Sequence, residues 1–216
     1  MAGIEVVSFD MEGTLIDDSY SNLVWETDIP RLYGEKHGLD LESAKAKVLG
    51  EYSQVGDDRP EWYDIGYWFD RLGLDQDWRE LLRRRTEACR VFGETPGVLE
   101  RMSREYTLIV SSNTIREFLD VQLTKLPDVF ARVYSAPSDL EIVKKTESFY
   151  ARICAEMGVE PTSVAHVGDS YKFDYEEPMK LGIHSYHLDR RDASSGGEVV
   201  SDLEEFEEKL RFIRRG

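Results

Sequence analysis

Asp10 and Glu12 stand one residue apart at the end of an apolar run, in the stretch Val6–Asp17 that reads VVSFDMEGTLID. Carboxylates so spaced can divide labour. One can attack an electrophilic centre and carry a covalent intermediate, while the other gives and takes a proton if its pKa is moved toward neutrality. Carboxylates are also oxygen ligands of the kind magnesium takes. Further along lie Ser112 and Asn113, the pair Lys144 and Lys145, and Gly168-Asp169-Ser170 followed by Asp174. Taken singly, each has an ordinary explanation: solvated acids at a strand end, a hydroxyl capping a helix, a surface lysine, a strand-to-loop turn. Their weight depends on where the surrounding elements bring them.

Val-, Ile- and Phe-rich runs bounded by turn residues read as buried strands. Ile4–Phe9, Tyr106–Val110, Val129–Ser135, Val164–Val167 and Ser185–Leu188 fit that description. Between and after them the composition predicts helices over Val98–Arg104, Ile115–Leu123, Thr146–Met157 (closed by Gly158), Tyr175–Leu181 (stopped at Gly182) and Leu203–Ile213. Alternating strands and helices imply a mainly parallel sheet with right-handed crossovers, whose strands all end on one edge. That edge would collect Asp10 with Glu12, Ser112 with Asn113, and Asp169, in the crevice where open α/β sheets place their sites. Gly13 permits the sharp turn after the first strand.

The segment from Ser19 to about Gly93 differs in character. It holds all four tryptophans, Trp25, Trp62, Trp68 and Trp78, and few strand-like runs. Helices are expected from Pro30 to His37, over Leu41–Glu51 with Asp40 as cap, over Pro60–Leu72 with Gly73 ending it, and over Trp78–Val91: a small bundle inserted after the first strand. Asp192–Gly197 reads as the flexible, small-residue stretch.

The chain has 216 residues, a formal charge of −16 and a pI near 4.7. So acidic a surface argues against nucleic-acid backbones and anionic membranes as partners. It leaves a small anionic substrate open, since a metal or a few local cations can reverse the field in one cleft. The two cysteines, Cys89 and Cys154, lack metal-site spacing and point to a reducing, cytoplasmic setting. No run approaches membrane-spanning length. A monomer or homodimer is expected.

The ordered set Asp10, Glu12, Ser112 with Asn113, Lys144, and Asp169 with Asp174 resembles the four motifs of the haloacid dehalogenase superfamily, from residue 4 to about 189. The stretch Gly158–Asp169, GVEPTSVAHVGD, is similar to that family throughout. The resemblance implies a Rossmann-like three-layer α/β/α core over 1–18 and 93–216, with an inserted α-helical cap over 19–92. It further implies a magnesium-dependent phosphatase acting on a small phosphomonoester. Asp10 would be the nucleophile and Glu12 the general acid and base. Ser112, Asn113 and Lys144 would bind the phosphoryl group. Asp10, the backbone carbonyl of Glu12, Asp169 and Asp174 would hold Mg2+. A sugar phosphomutase, a haloacid dehalogenase and a non-catalytic phosphate-ligand-binding protein are the alternatives on the same fold. Two departures stand out. The second acid is glutamate where the family mostly has aspartate; the family's enolase-phosphatase branch resembles this chain in having Asp-x-Glu-Gly-Thr there. The lysine is followed by Lys145 rather than proline, which leaves the register of the site lysine open. His166 is expected to be packed rather than catalytic. Arg31, Arg59, Trp62 and Tyr63 are candidate cap contacts.

Overall fold

Strands buried on both faces read as continuous apolar runs, and VVSF of β1 (Val6–Phe9) is buried at every position. The computed structural model describes residues 3–191 and 193–215. In it β1, β2 (Thr107–Ser112), β3 (Phe130–Ser135), β4 (Val164–Gly168), β5 (His184–Leu188) and β6 (Val199–Val200) form one sheet in the order β3-β2-β1-β4-β5-β6. Every pairing is parallel. The two-residue β6 was not expected from the sequence. Phe9 faces Val110 on one side and Val167 on the other, so Ser111–Ser112 of β2 and Gly168 of β4 run on beside Asp10. The chain order reverses beside β1, which makes the β1/β4 boundary the crevice where such sheets bind ligands.

Alternation along β1 sorts the core into two faces. Val7 and Phe9 pack with Leu99 of α6 (Thr95–Met102; helices are numbered in chain order) and with Leu203 and Phe206 of α11 (Leu203–Arg215). Val6 packs on the opposite face with Phe149 and Ile153 of α9 (Glu147–Met157). The result is a three-layer α/β/α arrangement. The helix expected over Tyr175–Leu181 is instead a π-helical turn, Tyr171–Glu176, leading into the short α10 (Glu177–Met179). Ser170 caps this turn by accepting from the Phe173 N–H at 3.4 Å, which starts it early. Of the stretch 192–197, Asp192 lies outside the described residues.

The insertion after β1 is helical, but its boundaries differ from those expected. Helix begins at Ser19, not Pro30. It runs through α1 (Ser19–Leu23) and a π-helical turn (Val24–Asp28) into α2 (Ile29–His37). Burial of Tyr20, Val24 and Ile29 in a common core explains a helix that composition does not announce. α3 extends over Leu41–Val55, capped by the Asp40 carboxylate on the Ser43 N–H at 2.8 Å. Pro60–Leu72 is split into a 3₁₀ turn (Pro60–Trp62) and α4 (Ile65–Arg71), because Asp64 accepts from the Tyr67 N–H at 3.0 Å and restarts the helix. α5 stops at Arg84 after starting at Trp78, and a 3₁₀ turn spans Thr86–Ala88. Between them Arg85 turns its guanidinium to the fully buried Asp28 at 2.6 and 2.7 Å. The chain leaves and returns side by side: Ile16 bridges Val91, and the Asp17 N–H donates to the Arg90 carbonyl at 2.9 Å. The insertion's core also takes in Ile115 and Phe118, so α7 (Arg116–Leu123) and the turn before it join the two regions. Among the described residues no helix is long and apolar enough to cross a membrane.

Candidate active site

Asp10 emerges from β1 with its N–H bonded to the Val167 carbonyl at 3.0 Å, which fixes the backbone at the sheet's edge. Its carboxylate accepts from Lys145 Nζ at 2.6 Å. The same ammonium donates to Asp174 at 2.5 Å and to the Ser111 carbonyl at 3.1 Å. These three acceptors match the three donors of a lysine, and only 1% of Lys145 is exposed. The Lys145 N–H is held by Asn113 Oδ1 at 2.7 Å, so the loop after β2 sets the lysine's register. Asp174 is also held by the Ser170 N–H at 2.9 Å and lies 3.0 Å from His166 Nε2. The other His166 nitrogen is 2.8 Å from the Ser8 hydroxyl, which donates to Ser111 Oγ at 2.8 Å. His166 is wholly buried and supports Asp174 from behind the crevice.

The expected Lys144 is not in this crevice. Its Nζ reaches the insertion instead, 2.6 Å from Asp57 and 3.1 Å from Asp58. Neighbouring side chains leave the backbone in different directions, and the Asn113 bond to the Lys145 N–H decides which of the two turns inward. Asp10, Glu12, Ser112, Asn113, Lys145, Asp169 and Asp174 line one cavity of about 840 Å³. Within it Ser112 Oγ accepts from the Thr114 N–H at 3.1 Å. Arg31 and Arg59 are taken up elsewhere, by Asp28 at 2.8 Å and Glu61 at 2.6 Å. Trp62 and Tyr63 line a second cavity of about 600 Å³ on the insertion side.

One lysine cannot neutralise two buried acids. Burial raises the Asp174 carboxyl, but Lys145 and His166 outweigh it and hold this group well below its usual range. Asp10 is left with the deficit. Burial pushes it up to about 8, offset in part by Lys145 and reinforced by Asp174 and Asp169. Asp169 is raised by burial and by Asp174. Oxygens of Asp10, Asp169 and Asp174 lie within 4.8 Å of one another. Hard oxygen donors crowded beyond the charge available to balance them fit a divalent cation such as Mg2+. Two glycines make the crowding possible. A Cβ on Gly168 would come 2.3 Å from Asp174 Cγ, and one on Gly13, whose φ is +75°, would come 2.3 Å from Asp169 Oδ2.

Glu12 turns away from these acids. Its Oε1 accepts from Ser21 Oγ of α1 and from Gln122 Nε2 of α7, both in short contacts. Burial pushes its carboxyl up to about 7 against the pull of those two donors.

A family model described as haloacid dehalogenase-like hydrolase matches residues 4–177. The chain belongs to that family. This hydrolase is 33% identical over 72 residues to the GMP/IMP nucleotidase YrfG of Escherichia coli K12, covering 33% of this chain and 32% of that protein. It thus spans about a third of the length of the curated relatives it matches first. Among solved structures, a HAD phosphatase from Thermococcus onnurineus superposes with a TM-score of 0.82 at 23% identity, over 96% of this chain and 98% of that one. A 2-haloacid dehalogenase from Pseudomonas syringae pv. Tomato superposes with a TM-score of 0.69 at 19% identity, over 97% and 99%. At these identities the likeness is one of fold.

Sequence reasoning about the hydrolase missed Ser21 and Gln122. Ser21 lies where no helix was expected, and Gln122 is a polar residue inside an amphipathic helix with no spacing to mark it. The one available signal was Glu12 itself: an acid one methylene longer than the family's usual residue needs partners farther out.

Proposed function

We propose that this hydrolase is a magnesium-dependent phosphatase that cleaves small phosphomonoesters through an aspartyl-phosphate at Asp10. The observation that carries this reading is the separation of two acids from one strand end. Asp10 faces a lysine and a set of metal-type donors, while Glu12 faces a serine and a glutamine with its carboxyl near pH 7. An Asp10 oxygen would form a bond to phosphorus as the bond from phosphorus to the ester oxygen breaks. Glu12 would deliver its proton to the departing oxygen. Water would then attack the acyl-phosphate, giving its proton back to Glu12 and releasing inorganic phosphate and the Asp10 carboxylate. A carboxyl near neutrality suits both proton transfers. Asp10, Asp169, Asp174 and the Glu12 backbone carbonyl would hold Mg2+, which supplies charge neutralisation at the transferring group. Lys145, in the place expected for Lys144, would neutralise Asp10 and the transferred charge. Ser112, with the N–H groups of its loop, would bond the phosphoryl oxygens, and Asn113 would position Lys145.

The nucleotidase match supports phosphoester hydrolysis. Dehalogenation needs neither a metal nor a second acid two residues on, so the buried, paired Glu12 speaks against it. The test is phosphate release from p-nitrophenyl phosphate with Mg2+ and after chelation, beside chloride release from 2-chloropropionate. Chelation and Asp10→Asn should each lower phosphate release by at least ~10³-fold. Metal-independent chloride release, or activity indifferent to Asp10→Asn, overturns the proposal.

A further inference from the structure

The cavity of about 600 Å³ on the insertion side shares Glu12, Asn113 and Thr114 with the crevice that holds Asp10. A group leaving phosphorus past Glu12 therefore enters it. Its walls are aromatic: Trp25, Tyr52, Trp62, Tyr63, Trp68 and Phe118. The polar tips of Tyr52, Tyr63 and Trp68 are already committed within the protein. Tyr52 OH donates to the Trp25 carbonyl at 3.3 Å, Trp68 Nε1 to the Trp62 carbonyl at 3.1 Å, and Tyr63 OH to the Asp57 carbonyl at 3.3 Å. What they offer the cavity is ring surface. Trp25 is fixed by stacking on Phe118 of α7, with planes 2° apart and centroids 5.5 Å apart. Trp25, Trp62 and Tyr63 pack against the insertion's core but are only half-buried, which leaves part of each ring exposed.

Charge narrows the occupant further. Among the described residues no lysine, arginine or histidine lines this cavity, whereas Glu12 and Glu26 do. Glu26 is itself paired with Lys45 at 3.0 Å. A leaving group bearing a second phosphate or a carboxylate would meet Glu12 and an already paired Glu26, with no cation left to receive it. A neutral ring would meet rigid aromatic faces and the Asn22 amide at the rim.

We propose that the substrate is the phosphomonoester of an uncharged alcohol carrying a flat aromatic ring, of the nucleoside class, with the ring seated against Trp25, Trp62 and Tyr63. This rests on the phosphatase reading above and names the substrate class of that same site.

The experiment compares kcat/KM, with Mg2+ present, for adenosine, inosine and uridine 5′-monophosphates, ribose 5-phosphate, 3-phosphoglycerate and p-nitrophenyl phosphate. Ribose 5-phosphate has the same leaving oxygen and sugar without the base. The best nucleotide should exceed it by at least ~10-fold, the scale of one base–aromatic stack, and 3-phosphoglycerate should be the poorest. Trp25→Ala should erase the nucleotide preference and Trp25→Phe, which keeps a ring, should retain most of it. If Trp25→Ala does not fold, Trp62→Ala carries the same expectation. Equal rates for ribose 5-phosphate and the nucleotides, or 3-phosphoglycerate as the best substrate, overturn the inference and leave the phosphatase intact. No hydrolysis of any ester overturns the phosphatase instead. Quenching of tryptophan fluorescence by free adenosine then supports the cavity, and its absence overturns both.

Discussion

The two cavities that meet at Glu12 are built in opposite ways. The Asp10 crevice is a product of backbone register: three parallel strands end at the same edge of the sheet, two glycines let carboxylates crowd, and one buried lysine is shared between Asp10 and Asp174. The insertion-side cavity is a product of side-chain packing, with rings set against rings and polar tips turned into the backbone. The first concentrates acids around a buried cation, and the second is mainly ring surface with two acids and, among the described residues, no cation in its lining. Chemistry placed in the first can stay constant while recognition in the second is re-lined, which matches the general separation of catalytic machinery from fold and loops.

If that contrast is right, the largest effect comes from the lysine that balances the crevice. Lys145→Met leaves Asp10 and Asp174 buried without their cation. It should reduce kcat by ~10³-fold or more and lower stability by ~3–5 kcal/mol, read by steady-state kinetics and urea denaturation. Lys145→Met with near-normal turnover would mean that the acids do not depend on a shared charge. Next, Glu12→Gln keeps the shape at the junction of the cavities and removes the proton. A drop in kcat of ~10²–10⁴ with little change in KM is expected. Glu12→Asp, too short to reach both Ser21 and Gln122, should fall between the two.

A third effect is the pH dependence of stability without metal. Asp10 at about 8 and Glu12 at about 7 lie above their ordinary values of 3.8 and 4.5, so between those limits the folded state holds more protons than the unfolded one. Stability is then fully present below the ordinary range and is lost as pH rises through about 7 to 8. The melting temperature of the chelated protein should fall from pH 5 to pH 8.5. Added Mg2+ should raise it more at pH 8.5, where the acids that bind it are ionised. A stabilisation by Mg2+ that is equal at both pH values contradicts the charge deficit in the crevice. The smallest effect is Lys144→Ala. Its pairs with Asp57 and Asp58 lie near the surface, so a stability change below ~1 kcal/mol is expected by thermal denaturation.

The sheet was readable because burial on both faces forces long apolar runs, and the acids were readable because they follow those runs at once. The site lysine was not. Lys144 and Lys145 are chemically identical neighbours, and the choice between them is made by a side-chain bond from Asn113, across 32 residues. The insertion was recognisable as helical from composition, but its breaks were set by contacts invisible to periodicity. The buried Asp28 that draws Arg85 aside is one, and the Tyr20 and Val24 packing that makes a helix of an unpromising segment is another. Gln122 was silent for the same reason: its importance lies in Glu12, 110 residues earlier.

Because Asp17 and Arg90 are joined by one hydrogen bond of 2.9 Å at the insertion's base, everything between them is a detour rather than a link in the sheet's threading. A segment attached this way can be exchanged like a tool head on a handle. Another bundle of similar span could be spliced at the same two residues, and the order of the strands would not register the difference. On the proposed reading, the part of the molecule that would meet the leaving group is thus the part the order of the strands constrains least.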